Sequence, residues 1–427
     1  MKYAIATLGC KVNQLETHAI ETMLAGRGYE TTDAGDADVV IINTCAVTSE
    51  SGRKSRQAVR RMRKENPGAL TAVCGCFSQI SPDELEEMGA DLIYGSGQRR
   101  ELVDDIDRLL RERGRIRSVG GAFRRQEFEI LPAGAPEGRT RAYMKIQDGC
   151  DNFCTYCVIP YARGRVRSMP LEEAARQAAE LEGRGFREIV VTGIEIASYG
   201  KDLREGTGLA DAVCAIAGAA PSARIRLGSL EPTVVTEEFC RRLAESGNIC
   251  AHFHLSMQSG CDTVLRAMRR KYDTARFMES VELLRAHFPN CGLTADMICG
   301  FPGETREDHE QSISFIRKCG FSSMHVFPYS PRPGTRAAAL AGQLTRAEKD
   351  ARAHEAQLAA GEMKHTFLLE QVGRTLPVLF ETESGGVWHG HADNYCEVAA
   401  QGRELRGIVR NAAITGVEGE KLIGNVI

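Results

Sequence analysis

The sequence predicts an α/β chain in three parts: an open parallel-sheet domain, a partial barrel of six βα units, and a small all-β barrel at the C-terminal end. Three observations predict it. Strand-like and helix-like segments alternate in regular order from residue 2 to 112, and a second alternation begins at residue 141. Residues 376–427 then carry short β-rich runs, several glycines and no helical periodicity. In the first part, strands are expected at 2–8, 38–43, 69–73 and 91–94, with helices at 14–27, 49–65, 82–88 and 99–112. Alternation of that kind builds a parallel sheet covered by helices. Residues 114–140 turn irregular, with Leu131-Pro132-Ala133-Gly134-Ala135-Pro136-Glu137-Gly138 at their end, and read as a linker. The second array places strands at 141–147, 188–192, 224–228, 251–257, 293–299 and 323–329, separated by Ala/Arg/Glu-rich amphipathic stretches. A long charged helix, 345–372, leads to the C-terminal barrel. The domain limits that follow are 1–113, a linker at 114–135, a core at 136–367 and a terminal module at 368–427.

Composition narrows the function classes. No run of ~18 apolar residues and no basic-then-apolar leader is present, so membrane and secretion readings are not expected. Fifteen cysteines is a high and odd number. Several have metal-ligand spacing, which argues for reduced thiols in a cytoplasmic chain rather than a disulfide framework. The formal net charge of −3 means that any nucleic-acid contact must come from local patches.

The densest chemical signal is Cys150-Asp-Asn-Phe-Cys154-Thr-Tyr-Cys157, which follows an apolar strand and a glycine. Iron–sulfur cubanes normally take four thiolates, so a tight three-cysteine loop leaves one iron for a non-protein ligand. A zinc loop or three buried thiols is the plainer alternative on the spacing alone. Cys10, Cys45 and Cys76 each fall directly after an expected strand of the first domain. Ligands of parallel sheets gather outside the carboxyl ends of the strands, so three cysteines at successive strand ends converge on one place. One such cysteine would be read as a buried thiol; three in phase make a second site. Cys74 and Cys76 straddle Gly75, and position alone allows either to face the crevice. The other cysteines share no spacing and read as core.

The segments Tyr143-Met144-Lys145-Ile146-Gln147-Asp148-Gly149 and Val158-Ile159-Pro160-Tyr161-Ala162-Arg163-Gly164-Arg165-Val166-Arg167-Ser168, on either side of the cysteine loop, resemble the radical S-adenosylmethionine (SAM) methylthiotransferases. Thr7-Leu8-Gly9-Cys10-Lys11-Val12-Asn13-Gln14, Asn43-Thr44-Cys45-Ala46-Val47 and Gly75-Cys76-Phe77-Ser78-Gln79 resemble the cluster-binding segments of that family's N-terminal domain. The resemblance implies that Cys76, after the glycine, is the ligand and that Cys74 is structural. It further implies two [4Fe-4S] clusters, held by Cys150/Cys154/Cys157 and by Cys10/Cys45/Cys76. The first would generate a radical from SAM and the second would carry the sulfur. Phe327-Pro328-Tyr329-Ser330-Pro331-Arg332-Pro333-Gly334-Thr335 and the Cys10 segment look most like the branch that acts on threonylcarbamoyladenosine in tRNA. The expected reaction is methylthiolation at C2 of the adenosine 3′ to the anticodon, position 37, with an external flavodoxin- or ferredoxin-like electron donor. Isopentenyladenosine or a ribosomal-protein aspartate is the nearest rival substrate. A noncatalytic iron–sulfur or zinc RNA-binding protein is the rival of another class.

Polar residues at the ends of the core strands are the expected SAM contacts: Gly193 and Glu195, Ser229 and Glu231, and Gln258. Ordinary turn or capping duty is the alternative for each. Arg53, Lys54 and Arg60 on the helix after Cys45, and Arg163, Arg165 and Arg167 after the cysteine loop, are the expected RNA contacts, with a solvated helix face as the alternative for the first set. Gly390-His391-Ala392-Asp393-Asn394-Tyr395 and Leu422-Ile423-Gly424 resemble the TRAM module, a small RNA-binding barrel in which Trp388 and Tyr395 would either stack bases or pack the core.

Overall fold

The computed structural model describes residues 1–33, 35–134, 138–203 and 206–427. The first domain is a six-stranded parallel sheet of β1 (Lys2–Thr7), β2 (Glu30–Thr31), β3 (Val39–Thr44), β4 (Leu70–Gly75), β5 (Leu92–Tyr94) and β6 (Ile116–Ser118), in the order β2-β1-β3-β4-β5-β6. Five helices connect them: α1 (Lys11–Ala25), α2 (Ser49–Glu65), α3 (Cys76–Ile80), α4 (Pro82–Glu87) and α5 (Arg99–Glu112). β3 and β4 are buried at every position, as expected of central parallel strands covered on both faces. α2 starts where it does because Thr48 Oγ1 accepts from Ser51 N at 3.0 Å.

The core holds β7 (Arg141–Asp148), β8 (Arg167–Ser168), β9 (Glu188–Gly193), β10 (Arg224–Leu227), β11 (Ser229–Leu230), β12 (His252–Gln258), β13 (Gly292–Cys299) and β14 (Ser323–Pro328). Its helices are α6 (Ile159–Arg163), α7 (Leu171–Gly183), α8 (Leu209–Ala219), α9 (Glu237–Glu245), α10 (Asp262–Ala267), α11 (Thr274–His287) and α12 (Arg306–Cys319). Two half-sheets, β10-β9-β7-β8 and β11-β12-β13-β14, meet through a parallel bridge between Ile225 and Ile249. The six long parallel strands, β7, β9, β10, β12, β13 and β14, therefore follow one another around an incomplete barrel. The outward faces of its strands, with Met144, Ile146, Val191, Leu255, Met257, Ala295 and Met297, form one apolar cluster with helix residues such as Ala178, Val213, Leu243, Leu284 and Ile316.

α13 (Arg346–Leu369), started by a reciprocal capping box between Thr345 and Glu348, packs along β14 and leads to the terminal module. That module is a closed barrel of β15 (Thr375–Ser384), β16 (Val387–Ala392), β17 (Glu397–Gln401), β18 (Val409–Glu418) and β19 (Lys421–Val426), in the order β15-β16-β17-β19-β18. It sits on the β10 side of the core: Arg224 donates to His391 O at 2.7 Å and Arg226 to Asp393 O at 2.9 Å, with Glu188 buried between the two arginines.

The first domain and the stretch after it depart from expectation in their shortest elements. β2 and β6 are too short to show a period in sequence, and β6 lies inside the stretch read as a linker, paired in parallel with β5. The same stretch contributes a short helical turn, Ala122–Arg124, whose carbonyl at Ala122 lies where a Cβ on Gly164 would go. The expected boundary at 135/136 lies outside the described residues. Tyr395 stacks on His252 with ring centroids 4.6 Å apart and lies 4.8 Å from the Arg226 guanidinium, while Trp388 packs against the barrel core.

Candidate active site

The three-cysteine loop leaves β7 through Gly149, at φ +75°, where any Cβ would overlap the Arg165 carbonyl oxygen. Cys150 N then donates to Gly164 O at 3.0 Å, which closes the loop onto its own end. Gln147 fixes it from the other side: its Nε2 donates to Gly149 O at 2.7 Å, and its Oε1 accepts from Glu195 N at 2.7 Å. Gly193 belongs to the same joint, since a Cβ there would stand 2.8 Å from Gln147 O. The loop's conformation and the strand end carrying Glu195 are thus one unit.

Inside the loop, Asn152 Nδ2 donates to Glu195 Oε2 at 3.0 Å and to Glu231 Oε2 at 3.1 Å, and its own Oδ1 is buried without a partner. Two carboxylates and an orphaned acceptor face one buried cation, Arg270, whose guanidinium lies 3.8 Å from Glu231 and donates to Cys154 Sγ at 3.2 Å. Burial, reinforced by Glu231, pushes the Glu195 carboxyl up to about 7. Such an excess of acceptors suits a cationic, donor-rich ligand. Gln258 ends β12 in the left-handed region, at φ +66°, beside the bulge in that strand. Ser229 is exposed and, among the described residues, its side chain makes no hydrogen bond. Glu195 and Glu231 are therefore brought together, Gly193 supports them through Gln147, and Ser229 stays apart. Sequence reasoning missed Asn152 and Arg270; the first lay in plain view between two of the cysteines.

The second triad is assembled from three strand ends. Cys10 caps α1, Cys45 follows β3 and Cys76 opens α3. Gly9, at φ +103°, is required because a Cβ there would stand 2.7 Å from Cys45 Sγ. Gly75, at φ +104°, ends β4 and turns Cys76 towards the other two, whereas Cys74 stays buried with Tyr3, Ile20, Leu24 and Leu102 on the opposite face of the sheet. Asn13 Nδ2 ties two of the strand ends together, donating to Leu8 O at 2.8 Å and Thr44 O at 3.0 Å.

Both triads are electrostatically unfinished as bare thiols. Burial pushes Cys45 and Cys76 up, with Cys76 adding to the effect on Cys45 and Cys10 to that on Cys76. Burial and Cys154 push Cys157 up to about 12, and Cys76 of the other triad adds to it, so the two sets lie within electrostatic reach. A bound cation reverses that trend and deprotonates its thiol ligands. Among the described residues, no three His, Cys, Asp or Glu side chains are gathered as ligands of one metal ion. Three-thiol sets that are not gathered about one point would suit an iron–sulfur cluster better than a single zinc.

Around Cys76 the charge balance is the reverse of that around Cys154. Among the described residues, Arg99, Lys145, Arg163 and Arg167 are buried with Glu16 and Asp148 as the buried carboxylates that pair with them. Burial works against the charge of Glu16, but Arg163, Arg99 and Lys145 hold its carboxyl well below the usual range. Two of the expected RNA contacts are corrected here. Arg163 is fully enclosed between the first domain and the core, and Arg167 donates to the carbonyls of Arg163 and Arg165 and pairs with Asp148. Arg165 is exposed beside the loop, over Phe123 and Phe153. Arg53 and Lys54 lie at the Cys45 end of α2, but Arg60 lines a groove with Arg63, Lys64 and Arg113 at the start of β4, the end of the sheet away from the cysteines.

Residues 144–316 match the radical SAM superfamily, and residues 2–95 match the uncharacterized protein family UPF0004. A threonylcarbamoyladenosine tRNA methylthiotransferase MtaB from Bacillus subtilis is 38% identical over 94% of this chain and 90% of its own length. The chain belongs to the radical SAM methylthiotransferase family. A second relative, the tRNA-2-methylthio-N(6)-dimethylallyladenosine synthase of Pelotomaculum thermopropionicum, is 30% identical over 99% of this chain and 97% of its own. The fold is shared with a solved radical SAM methyltransferase, TsrM from Kitasatospora setae, at TM-score 0.59 and 16% identity over 79% of this chain and 77% of that one. This methylthiotransferase is accordingly an enzyme of the sulfur-group transferases that uses SAM and iron–sulfur chemistry.

Proposed function

We propose that the chain converts N6-threonylcarbamoyladenosine at position 37 of tRNA to its 2-methylthio derivative, with one [4Fe-4S] cluster on Cys150, Cys154 and Cys157 and a second on Cys10, Cys45 and Cys76. The observation that carries the reading is the convergence of two three-thiol sets, one from each of two modules, on a single interface. When bound, the clusters and SAM would supply the electron, the radical and the sulfur. The chain's own residues would do the rest. Glu195, Glu231 and Asn152 would bind and orient SAM, Gly193 and Gln147 would hold the loop against them, and Gln258 would close the β12 side. Arg270 would stabilise thiolate charge at Cys154.

The greater likeness to the relative named for threonylcarbamoyladenosine than to the one named for dimethylallyladenosine supports the choice of nucleoside. In this reading residues 1–113, with β6, hold the sulfur-carrying cluster, 136–367 form the radical core and 368–427 form a TRAM-like RNA-binding module. Arg53, Lys54 and Arg165 contact tRNA near the site, Arg60 contacts it at most at a distance, and a cytoplasmic flavodoxin- or ferredoxin-like protein supplies electrons. Nucleoside mass spectrometry of tRNA from a strain lacking the protein tests the substrate. Loss of 2-methylthio-threonylcarbamoyladenosine is expected. Unchanged levels in a strain with no redundant enzyme, or loss of a methylthio-isopentenyl nucleoside instead, would refute the assignment.

A further inference from the structure

Arg163 ends the helix that follows the three-cysteine loop, and its side chain is fully buried. Ion pairing with Glu16 and Asp148 is only part of its surroundings. Its Nε donates to Cys76 Sγ at 3.3 Å, and Nη2 donates to Asn13 Oδ1 at 2.8 Å. Asn13 is the side chain that joins the strand ends preceding Cys10 and Cys45. One guanidinium therefore touches the third cysteine of the first-domain triad and orients the residue that spaces the other two. At its own end, Arg163 is fixed to the other triad: the adjacent Gly164 carbonyl accepts from Cys150 N, and the Arg163 carbonyl accepts from Arg167 at 3.0 Å. The path from Cys150 to Cys76 runs through Gly164 and Arg163.

Charge gives this contact a direction. Arg99, Lys145 and Arg167 already surround Glu16 and Asp148, so the bond from Arg163 to sulfur is not needed to neutralise acids. Hydrogen bonds to ligating sulfur are among the factors that set cluster reduction potentials. A charged N–H donor favours the more negative, reduced state.

We propose that Arg163 is a positioning residue that fixes the first-domain triad relative to the three-cysteine loop and raises the reduction potential of the cluster held by Cys10, Cys45 and Cys76. The proposal rests on the reading of those three cysteines as cluster ligands. The test uses the full chain carrying Cys150→Ala, Cys154→Ala and Cys157→Ala, which leaves one cluster site, reconstituted with iron and sulfide. Arg163→Lys keeps a cation among Glu16 and Asp148 but loses the planar fork. It is expected to retain iron while its EPR-monitored midpoint moves to more negative potential, and Arg163→Gln is expected to move it further. With Arg163 intact and arginine labelled with ¹⁵N, pulsed EPR of the reduced cluster should show a nitrogen coupling, a readout that does not depend on any Arg163 variant folding. An unchanged midpoint in Arg163→Lys, or no arginine coupling in the chain with native Arg163, would overturn the proposal. Absence of iron in the parent chain with Arg163 intact would instead overturn the ligand reading beneath it.

Discussion

The two cysteine triads reach similar ends by opposite means. Cys150, Cys154 and Cys157 sit in one loop, and their geometry is set locally by Gly149, Gln147 and the Gly164 carbonyl. Cys10, Cys45 and Cys76 come from three separate strands and meet only once the sheet has formed. Their surroundings differ as sharply. The loop faces carboxylates and an unpartnered amide oxygen with, among the described residues, one buried guanidinium, while the strand-end triad backs onto an excess of buried cations. Under the proposed function the contrast is a division of labour: the acceptor-rich pocket would take a cationic cofactor, and the cation-backed site would hold the sulfur carrier.

The strongest way to break the comparison is to remove one triad at a time. Replacing Cys150, Cys154 and Cys157 together with alanine, or Cys10, Cys45 and Cys76 together, should each remove about four irons per reconstituted chain. Iron and sulfide analysis with Mössbauer spectroscopy checks this. Loss of all iron from either variant would show a single shared cluster.

Glycine substitutions sharpen the contrast at the level of folding. Gly149→Ala would collide with the Arg165 carbonyl, and Gly75→Ala would stand 2.7 Å from Asn43 Oδ1, both at positive φ. Strain plus overpacking should destabilise each apo-chain by about 3 kcal/mol, measured by urea denaturation. Gly149→Ala should lose iron from the loop alone and Gly75→Ala from the strand ends alone. Equal loss from both sites in either variant would deny their independence.

A smaller effect probes the acceptor-rich pocket. The Glu195 carboxyl is raised to about 7 by burial and by Glu231. It is therefore protonated below that pH, and under the proposed function the positively charged SAM would have to displace a proton to bind there. Affinity measured by calorimetry should fall roughly tenfold per pH unit as pH drops below 7. Glu195→Gln should bind more weakly at pH 8 and lose that slope. By the same sign rule, a carboxyl whose folded value is raised contributes its stability at low pH and loses it as pH rises towards 7.

Local chemistry was the part of this site most legible in sequence. The loop spacing, the six core strands and the ends of α2 and α5 follow from residues near one another in the chain. The strand-end triad was legible because the βα alternation places every strand's carboxyl end on one edge. Cys74 and Cys76 share strand parity, so alternation alone leaves them equivalent; the positive φ at Gly75 separates them, and only the turn into α3 reveals it. The burial of Arg163 and Arg167 was hidden for a different reason. Their partners, Glu16 and Asp148, come from a helix of one module and a strand of another, and a run of arginines carries no mark of such distant carboxylates. β2 and β6 escaped because two or three residues hold no period.

The division of labour is tested most directly by following SAM cleavage and methylthiolation together in single-cysteine variants, with 5′-deoxyadenosine and modified tRNA quantified from the same reaction. Cys154→Ala should lose both products. Cys76→Ala should lose the methylthio nucleoside while 5′-deoxyadenosine formation stays near that of the unsubstituted chain. Equal loss of cleavage in the two variants would contradict separate roles for the two triads.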